Sequence, residues 1–343
     1  MIKKILQESF ILKENGHYKH AIESFYKALE IDNKSTELLL EIAECYYLIG
    51  EEERTLNYIE QILQDNPTHI GALKLLKRIF INKKAWTEAE QTAKNIYCIS
   101  KDTNDLAEIL EFLNKQKRFS DVFDYEIPEP SSEILYQQAF AALNLNKINE
   151  AIEYIDKALN IDFNEKNIFL KCKILYKTNR KDECVELFKN ININNTDAEI
   201  LNFAGLIKQY ECEFSNAIDF FKKAIKISPQ KDDYFYNCAS TYFKMGNISL
   251  AKKYYNLAIS LAPENQNYHF ALANLYYSEK HYKRALEELN YDFFEAKLLK
   301  SIILYESGYL TIAKREIEKL SKEQPENELI REYKNKIEEE LKI

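Results

Sequence analysis

The five histidines are the side chains best suited to acid–base or metal chemistry near neutral pH, so their spacing is the first test for an active site. They stand apart at His17, His20, His69, His269 and His281. The sequence contains no His-Glu-x-x-His motif and no Gly-rich phosphate-binding segment. A general base needs a partner that orients it, and an isolated histidine lacks one. The sequence therefore predicts a protein that is not an enzyme and that holds no metal and no cofactor.

The six cysteines are scattered, with no Cys-x-x-Cys pair to suggest a zinc site or a disulfide framework. They are Cys45, Cys98, Cys172, Cys184, Cys212 and Cys238. The N-terminal segment MIKKILQESFILKENG is interrupted by polar residues and has no small-residue cleavage site, and no apolar run approaches bilayer length. We therefore expect a reduced, cytoplasmic protein without a signal peptide or a membrane span.

Composition favours helices over strands and argues against nucleic acid as a partner. The 343 residues include only 6 Gly and 6 Pro, so tight turns are few. Lys and Arg number 47 against 55 Asp and Glu, which gives a formal net charge of -8. Phosphate binding relies on clustered cations, and this balance does not favour such a surface. The abundance of Lys, Asn, Ile and Tyr indicates an AT-rich genome, and we expect a bacterial source.

A pattern of small and aromatic residues recurs along the chain and indicates how its helices are positioned. HYKHAIESFYKALEIDN carries Ala21, Phe25 and Ala28, and NISLAKKYYNLAISLAPEN carries similar residue types at the same spacing. Residues three and four apart share one face of a helix, and paired helices approach closely only where the facing residues are small. Small residues recur at two places: Ser9, Ala43, Ala139, Cys172, Gly205, Ala239, Ala273 and Ser301 at the first, and Ala21, Ala89, Ala151, Cys184, Ala217, Ala251, Ala285 and Ala313 at the second.

This pattern resembles the tetratricopeptide repeat, a unit of about 34 residues built from two antiparallel helices. The register gives roughly ten repeats over nearly the whole chain, which begin at Ile2, Thr36, Ile70, Thr103, Ser132, Glu165, Ala198, Asp232, Gln266 and Phe294. The resemblance implies an all-α fold, a right-handed superhelical solenoid of antiparallel helix pairs. A C-terminal capping helix is predicted over 327–343, where Leu329, Tyr333 and Ile337 share one stripe.

Two repeats look incomplete, and the first of them divides the predicted chain into blocks. In the fourth repeat the segment IPEPSS cuts the second helix short, because Pro128 and Pro130 prevent a helix from continuing. The ninth repeat also runs quickly into the next helix. We predict an N-terminal block of about four repeats over 1–126, a linker or hinge at 127–132, and a block of about six repeats over 133–326.

Several first helices carry a second apolar stripe, although a helix in a two-layer stack needs only one. In the repeat family the fifth, ninth and twelfth places face a concave groove where partners bind, so the resemblance implies a binding surface. Aromatic residues supply contact area, and Asn can hydrogen-bond a peptide backbone. Packing between neighbouring repeats is the alternative explanation. The predicted residues, called the groove stripe below, are Tyr136, Phe140, Phe169, Lys173, Tyr176, Asn202, Phe203, Tyr210, Tyr236, Asn237, Phe243, Phe270, Asn274 and Tyr277.

The sequence favours a non-enzymatic scaffold or adaptor that holds a peptide or helix of another protein while a complex is assembled, chaperoned or regulated. A regulatory subunit or peptide sensor that switches a partner enzyme is the alternative. Family members that capture chaperone C-termini resemble one another in a Lys-and-Asn dicarboxylate clamp. Leu6, Glu41 and Leu75 stand at corresponding places here, so the resemblance implies no such binding. We expect no nucleic-acid or membrane partner, and a monomer is favoured, although the sequence leaves the oligomeric state open.

Overall fold

The computed structural model describes residues 2–33, 35–127, 129–193 and 197–341, and within these ranges the chain is helical and forms no strand. In chain order the α-helices are α1 (Ile2–Glu14), α2 (Tyr18–Leu29), α3 (Thr36–Ile49), α4 (Glu52–Asp65), α5 (Ile70–Asn82), α6 (Trp86–Ser100), α7 (Thr103–Lys115), α8 (Ser132–Asn144), α9 (Ile148–Ile161), α10 (Glu165–Lys177), α11 (Lys181–Phe188), α12 (Ala198–Tyr210), α13 (Phe214–Ile227), α14 (Asp232–Lys244), α15 (Ile248–Leu261), α16 (Gln266–Ser278), α17 (Tyr282–Glu288), α18 (Phe294–Glu306), α19 (Leu310–Glu323) and α20 (Glu328–Glu340). A 3-10 helix, Ser120–Asp124, lies between α7 and α8. Throughout the part of the chain that the structure describes, every helix is too short or too polar to span a lipid bilayer.

Each predicted repeat start coincides with the first residue of a helix, from Ile2 of α1 to Phe294 of α18. Side-chain caps explain several of these starts. Ser131 directly precedes α8, and its Oγ accepts a hydrogen bond at 3.3 Å from the main-chain N–H of Ile134 in the first turn of that helix. Such caps satisfy N–H groups that have no partner in the first turn of a helix. Local hydrogen bonding therefore fixes several of the repeat starts, and short turns then bring the two helical elements of each repeat into contact.

The small residues predicted at the helix crossings are buried, which confirms the repeat register. Ala21, Ala139 and Ala251 have no exposed surface. The constraint is tightest at Gly205, because a Cβ atom there would lie 2.5 Å from the fully buried ring of Phe221. A larger side chain would force the paired helices apart or distort the ring. The close approach of each pair thus follows directly from residue volume.

The turn after each first helix contains one residue with a left-handed backbone, at the same place in every repeat. In four repeats this residue is glycine: Gly16, Gly50, Gly246 and Gly308. In the other repeats it bears a side chain, with φ between 57° and 61°: Lys84, Lys117, Asn146, Asn179, Cys212 and Lys280. A left-handed backbone costs an L-residue roughly 1–2 kcal/mol. The geometry of the turn is therefore constant along the chain, while the residue that adopts it varies.

The helices group into two compact units, Met1–Ile191 and Asn192–Ile343. The boundary that the sequence predicts at 127–132 is a different one and stays a prediction, and Pro128 lies outside the described residues. Helices α7 and α8, on the two sides of that segment, contribute to one buried hydrophobic cluster within the first unit. Packing in the first unit therefore continues past the prolines.

Three repeats have a shortened second element within the described ranges. In the fourth repeat its place is taken by the 3-10 helix, and in the ninth by the seven-residue α17; these are the two repeats in which the sequence indicates a short helix. The sixth repeat, whose α11 has only eight residues, was not predicted to be short. The Asn residues that follow α11, Asn190 and Asn192, compete for backbone hydrogen bonds and favour turns over helix.

Candidate functional site

In the first unit the groove stripe consists of half-buried side chains on α8 and α10. Tyr136 and Phe140 pack at the edge of the core that α8, α9 and α10 form. On α10, Nζ of Lys173 lies 4.7 Å from the centre of the Phe169 ring. Tyr176 is also half-buried, and this burial raises the pKa of its phenol. The surface thus offers aromatic contact area next to positive charge, an arrangement that attracts cation–π and apolar contacts alike.

The asparagines of the stripe, all in the second unit, bind the chain itself. Nδ2 of Asn237 donates to Oδ1 of Asn202 at 3.0 Å, and Asn202 is buried. Nδ2 of Asn274 donates to the main-chain oxygen of Phe270 at 2.9 Å, one turn earlier in α16. The side-chain amides that the sequence suggested for a peptide backbone therefore bind within the protein: the Asn237–Asn202 pair connects α14 to α12, and Asn274 binds its own helix.

Four aromatic members of the stripe in the second unit differ widely in exposure. Phe203 is 6% exposed, whereas Tyr210, on the same helix, is 39% exposed. Phe243 is half-buried against the main core of this unit. Phe270 meets the ring of Phe293 edge to face, with 5.4 Å between centroids. Phe203 and Tyr210, seven residues apart on one face of α12, therefore do not have equal access to solvent.

Tyr236 belongs to a stack of tyrosines that packs inside the second unit. Its ring stacks on Tyr268 with centroids 4.9 Å apart and lies 5.8 Å from the ring of Tyr255. Burial raises the pKa of its phenol. Aromatic pairs at these distances add to the stability that burial alone provides. For Tyr236, the packing explanation accounts for the contacts observed.

Tyr277 belongs to a second arrangement, called the phenol cluster below, in which Tyr277, Tyr282 and Tyr333 surround the carboxylate of Glu306. The hydroxyl of Tyr277 donates to Oε1 at 2.8 Å, and that of Tyr282 donates to Oε2 at 2.9 Å. Tyr333 donates more weakly to Oε1 at 3.5 Å. Burial and the hydrogen bond to Glu306 both raise the pKa of the Tyr277 phenol. The cluster connects α16, α17, α18 and α20 through one acceptor.

A cavity of about 230 Å³ lies between α7 and α8 in the first unit, next to the groove stripe. It is called the α7–α8 cavity below. Its lining residues are Glu111, Asn114, Lys115, Tyr136, Gln137, Phe140 and Lys166. Two of them, Tyr136 and Phe140, are predicted site residues; the others were missed. The signal that could have found Asn114 is its place, the twelfth of the fourth repeat, where the stripe pattern was not extended.

A chain of hydrogen bonds beside this cavity ends at an unpaired acceptor. Nζ of Lys166 binds both carboxylate oxygens of Glu133, at 2.6 and 2.7 Å, and Nε2 of Gln137 donates to Oε1 of Glu133 at 2.7 Å. Nδ2 of Asn114 then donates to Oε1 of Gln137 at 2.8 Å and to its main-chain oxygen at 3.0 Å. Oδ1 of Asn114 is buried and accepts no hydrogen bond.

The cysteines are packing residues where they are buried. Cys172 and Cys184 face each other across the α10–α11 pair without exposed surface, and Sγ of Cys184 lies 3.3 Å from the main-chain oxygen of Cys172. Burial raises the pKa of the Cys45 thiol to about 11 and that of Cys238 to about 12. Such thiols are poor nucleophiles near neutral pH. Among the described residues, no three His, Cys, Asp or Glu side chains converge as a metal site would require.

The fold and its buried small residues define a helical repeat protein. A family model described as the tetratricopeptide repeat matches four segments of the chain, residues 6–35, 132–165, 198–231 and 232–265. Three of the matches span a predicted repeat with its two helices, and the match at 6–35 covers the first repeat from the middle of α1 onward. The chain contains tetratricopeptide repeats, as its sequence pattern predicts.

Two curated proteins share these repeats at low identity. A TPR repeat-containing protein of Methanocaldococcus jannaschii is 24% identical over 217 residues, which cover 62% of this chain and 36% of that protein. A DnaJ homolog subfamily C member 3 homolog of Dictyostelium discoideum is 21% identical over 225 residues, which cover 64% of this chain and 42% of that protein. The chain therefore spans about two fifths of the length of the curated relatives it matches.

Solved structures with the same architecture support the fold alone, because their identities are low. One chain of the APC/C hetero-tetramer Cut9-Hcn1 has a TM-score of 0.62 at 10% identity, and the match covers 98% of this chain and 76% of that chain. PilW, a type IV pilus biogenesis factor, has a TM-score of 0.52 at 20% identity, over 59% and 97%. PilF of Pseudomonas aeruginosa has a TM-score of 0.50 at 16% identity, over 60% and 97%.

Proposed function

We propose that the chain is a non-catalytic scaffold that holds a peptide or helical segment of another protein on the groove stripe. The observation that carries the proposal is the run of half-buried aromatic and lysine side chains on α8 and α10, beside the α7–α8 cavity. A contiguous apolar surface with nearby charge is typical of a protein interaction site. The first unit is therefore the part of the chain in which we place partner binding.

The low-identity neighbours agree with a role in protein assembly. Cut9 and Hcn1 form a hetero-tetramer, and PilW is a pilus biogenesis factor. The sequence carries no His-Glu-x-x-His motif and no Gly-rich phosphate-binding segment, and four of the six cysteines are buried, which favours a role without catalysis. A formal net charge of -8 favours a protein over a nucleic acid as partner. We include a cytoplasmic location in the proposal on the basis of the sequence alone.

Site-specific photo-crosslinking in cells that naturally produce the chain tests this proposal. A photoreactive phenylalanine replaces Phe169, which is half-buried in the stripe and lies outside the α7–α8 cavity. The matched control carries the same group at Phe163, which is 61% exposed in the turn after α9. We expect position 169 to form an adduct with one defined segment of a partner, mapped by mass spectrometry, and position 163 to form none.

The result that would contradict the proposal is an equal pattern of adducts at both positions, or no protein adduct at position 169. Equal labelling would mean that the contacts are random collisions with exposed rings. Absence of labelling at 169 would mean that the half-buried stripe of the first unit only packs between repeats.

A further inference from the structure

The orientation of the Asn114 side chain is fixed by its neighbours, so its unpaired oxygen is a property of the fold. The main-chain oxygen of Gln137 can only accept, and it faces Nδ2 of Asn114 at 3.0 Å. Oε1 of Gln137 also faces that nitrogen, because Nε2 of Gln137 is already bound to Glu133. Reversing the Asn114 amide would set its oxygen against two acceptors. Oδ1 therefore has no donor from this network.

A buried hydrogen-bond acceptor without a donor is rare in folded proteins. A donor from another molecule would satisfy it. Asn114 is 6% exposed and lines the α7–α8 cavity. Its Oδ1 has almost no accessible surface, so a donor from another molecule reaches it only through a local rearrangement of the side chains that line the cavity. The cavity, at about 230 Å³, is smaller than the roughly 300–1,000 Å³ of sites for whole small molecules. It has room for a single large side chain.

The chemistry of the walls narrows the choice of side chain. Nζ of Lys115 binds Glu111 at 2.6 Å, and Lys166 binds Glu133, so both cations are already paired with the carboxylates beside them. A positively charged side chain as donor would be repelled by these two lysines, because their carboxylates are already paired. A Gln or Asn amide would supply the donor but would bury its own carbonyl without a partner. Tryptophan is the neutral side chain that has one N–H donor, no acceptor and a large apolar body.

We propose that the α7–α8 cavity accepts a tryptophan side chain of the partner segment, whose indole N–H donates to Oδ1 of Asn114 while its ring packs against Tyr136 and Phe140. This inference rests on the proposed function, since it names one residue that the bound segment must carry. It also defines a role for Asn114 that differs from peptide-backbone binding by the stripe.

The probes are N-acetyl-tryptophanamide and its indole N-methyl analogue, titrated against the full chain by ligand-observed NMR. The methyl group removes the donor and keeps the ring. We expect saturable binding of the first probe and about tenfold weaker binding of the second, the loss that corresponds to one hydrogen bond. Asn114→Leu should make the two affinities equal. The matched control is Asn104→Leu, an exposed position on the same helix, which should preserve the difference.

No saturable binding of N-acetyl-tryptophanamide, equal affinity of both probes for the natural chain, or an unchanged difference in a folded Asn114→Leu variant would each overturn the inference. The comparison of probes on the natural chain needs no substitution, so the test survives if Asn114→Leu does not fold. Crosslinking at position 169 without discrimination between the probes refutes the tryptophan site alone. Discrimination without crosslinking refutes the proposed partner binding by the stripe.

Discussion

Tyr136 in the first unit and Tyr236 in the second stand at the same place of their repeats, yet their surroundings differ in how polar groups are satisfied. Around Tyr236 the rings stack on one another, and nearby Asn237 is paired with Asn202. Beside Tyr136 lies a cavity whose wall holds the unpaired oxygen of Asn114. Aromatic content alone therefore does not distinguish a binding surface from a core edge. We propose that the unsatisfied oxygen of Asn114, a residue that lines the same cavity as the Tyr136 ring, makes that distinction.

Replacing Tyr136 and Tyr236 by alanine tests this comparison with the largest expected effect. Tyr236→Ala removes a ring that contacts two others, and we expect the free energy of unfolding to fall by about 3 kcal/mol. Tyr136→Ala removes a half-buried ring that already borders a cavity, and it should cost about 1 kcal/mol. Urea denaturation of both variants measures the difference. Equal losses would show that Tyr136 is as much a core residue as Tyr236.

Asn237→Ala would leave a buried amide oxygen without a donor in the second unit, as Oδ1 of Asn114 is in the first. The substitution leaves Oδ1 of the buried Asn202 without its donor, which should cost about 1–2 kcal/mol of unfolding free energy. Asn237→Asp serves as a second variant of similar size that also removes the donor. Denaturation midpoints measure both, and a neutral result for both would mean that solvent replaces the lost hydrogen bond.

Glu306→Gln weakens the phenol cluster and should lower the unfolding free energy by about 1 kcal/mol, because hydrogen bonds to a charged acceptor become hydrogen bonds to a neutral one. The pKa of Tyr277 is raised above its ordinary value of about 10, first by burial and then by Glu306. A folded-state pKa above the unfolded value gives stability that is complete below about pH 10 and is lost as the pH rises through the folded-state pKa.

The natural chain should therefore lose stability in that alkaline window, and Glu306→Gln should make the loss smaller. Titration of ring-labelled tyrosine by NMR checks the pKa directly, with the expected change toward the ordinary value. Glu316→Gln is the control, since its carboxylate pairs with Lys319. A Tyr277 pKa that does not move in Glu306→Gln would leave burial as its whole cause.

The smallest effect is expected at the outer end of the hydrogen-bond chain in the first unit. Lys166→Gln removes an ion pair in which both side chains are about half exposed, and such pairs contribute little, so we expect a change below about 0.5 kcal/mol. The same variant should keep the discrimination between the two indole probes, because Gln137 still reaches Glu133. Loss of discrimination would show that Lys166, and not Asn114, controls the cavity.

The sequence predicts the helix pairs well because residue volume determines them. Ala21 and Ala251 could be recognised as crossing residues from spacing alone, and the helix starts followed from the same register. The short α11 was not predicted, because Asn residues weaken a helix without forbidding it as proline does. The second unit also shows what spacing cannot reveal: Phe203 and Tyr210 share a helix but differ in exposure.

The α7–α8 cavity could not be predicted from the sequence for a physical reason. The side-chain amide of Asn114 meets Gln137 only after the fold brings together residues 23 apart in sequence. Whether an amide is satisfied depends on that pairing and on the direction in which Gln137 is held by Glu133. A sequence pattern records the presence of a polar residue, whereas the unpaired atom is visible only in the assembled structure.

The left-handed turns have a practical consequence for increasing the thermal stability of the protein. Lys84, Lys117 and Lys280 hold a backbone conformation that glycine adopts without strain. Replacing each by glycine relieves roughly 1–2 kcal/mol against an entropic cost of about 0.5–1 kcal/mol. Two of these sites lie close to residues of the proposed binding surface, since the main-chain N–H of Lys117 donates to the main-chain oxygen of Asn114 and that of Lys280 to that of Tyr277. Lys84 is therefore the first of the three to replace when heat resistance is sought, because its main-chain N–H donates to Ile81, which lies outside the groove stripe.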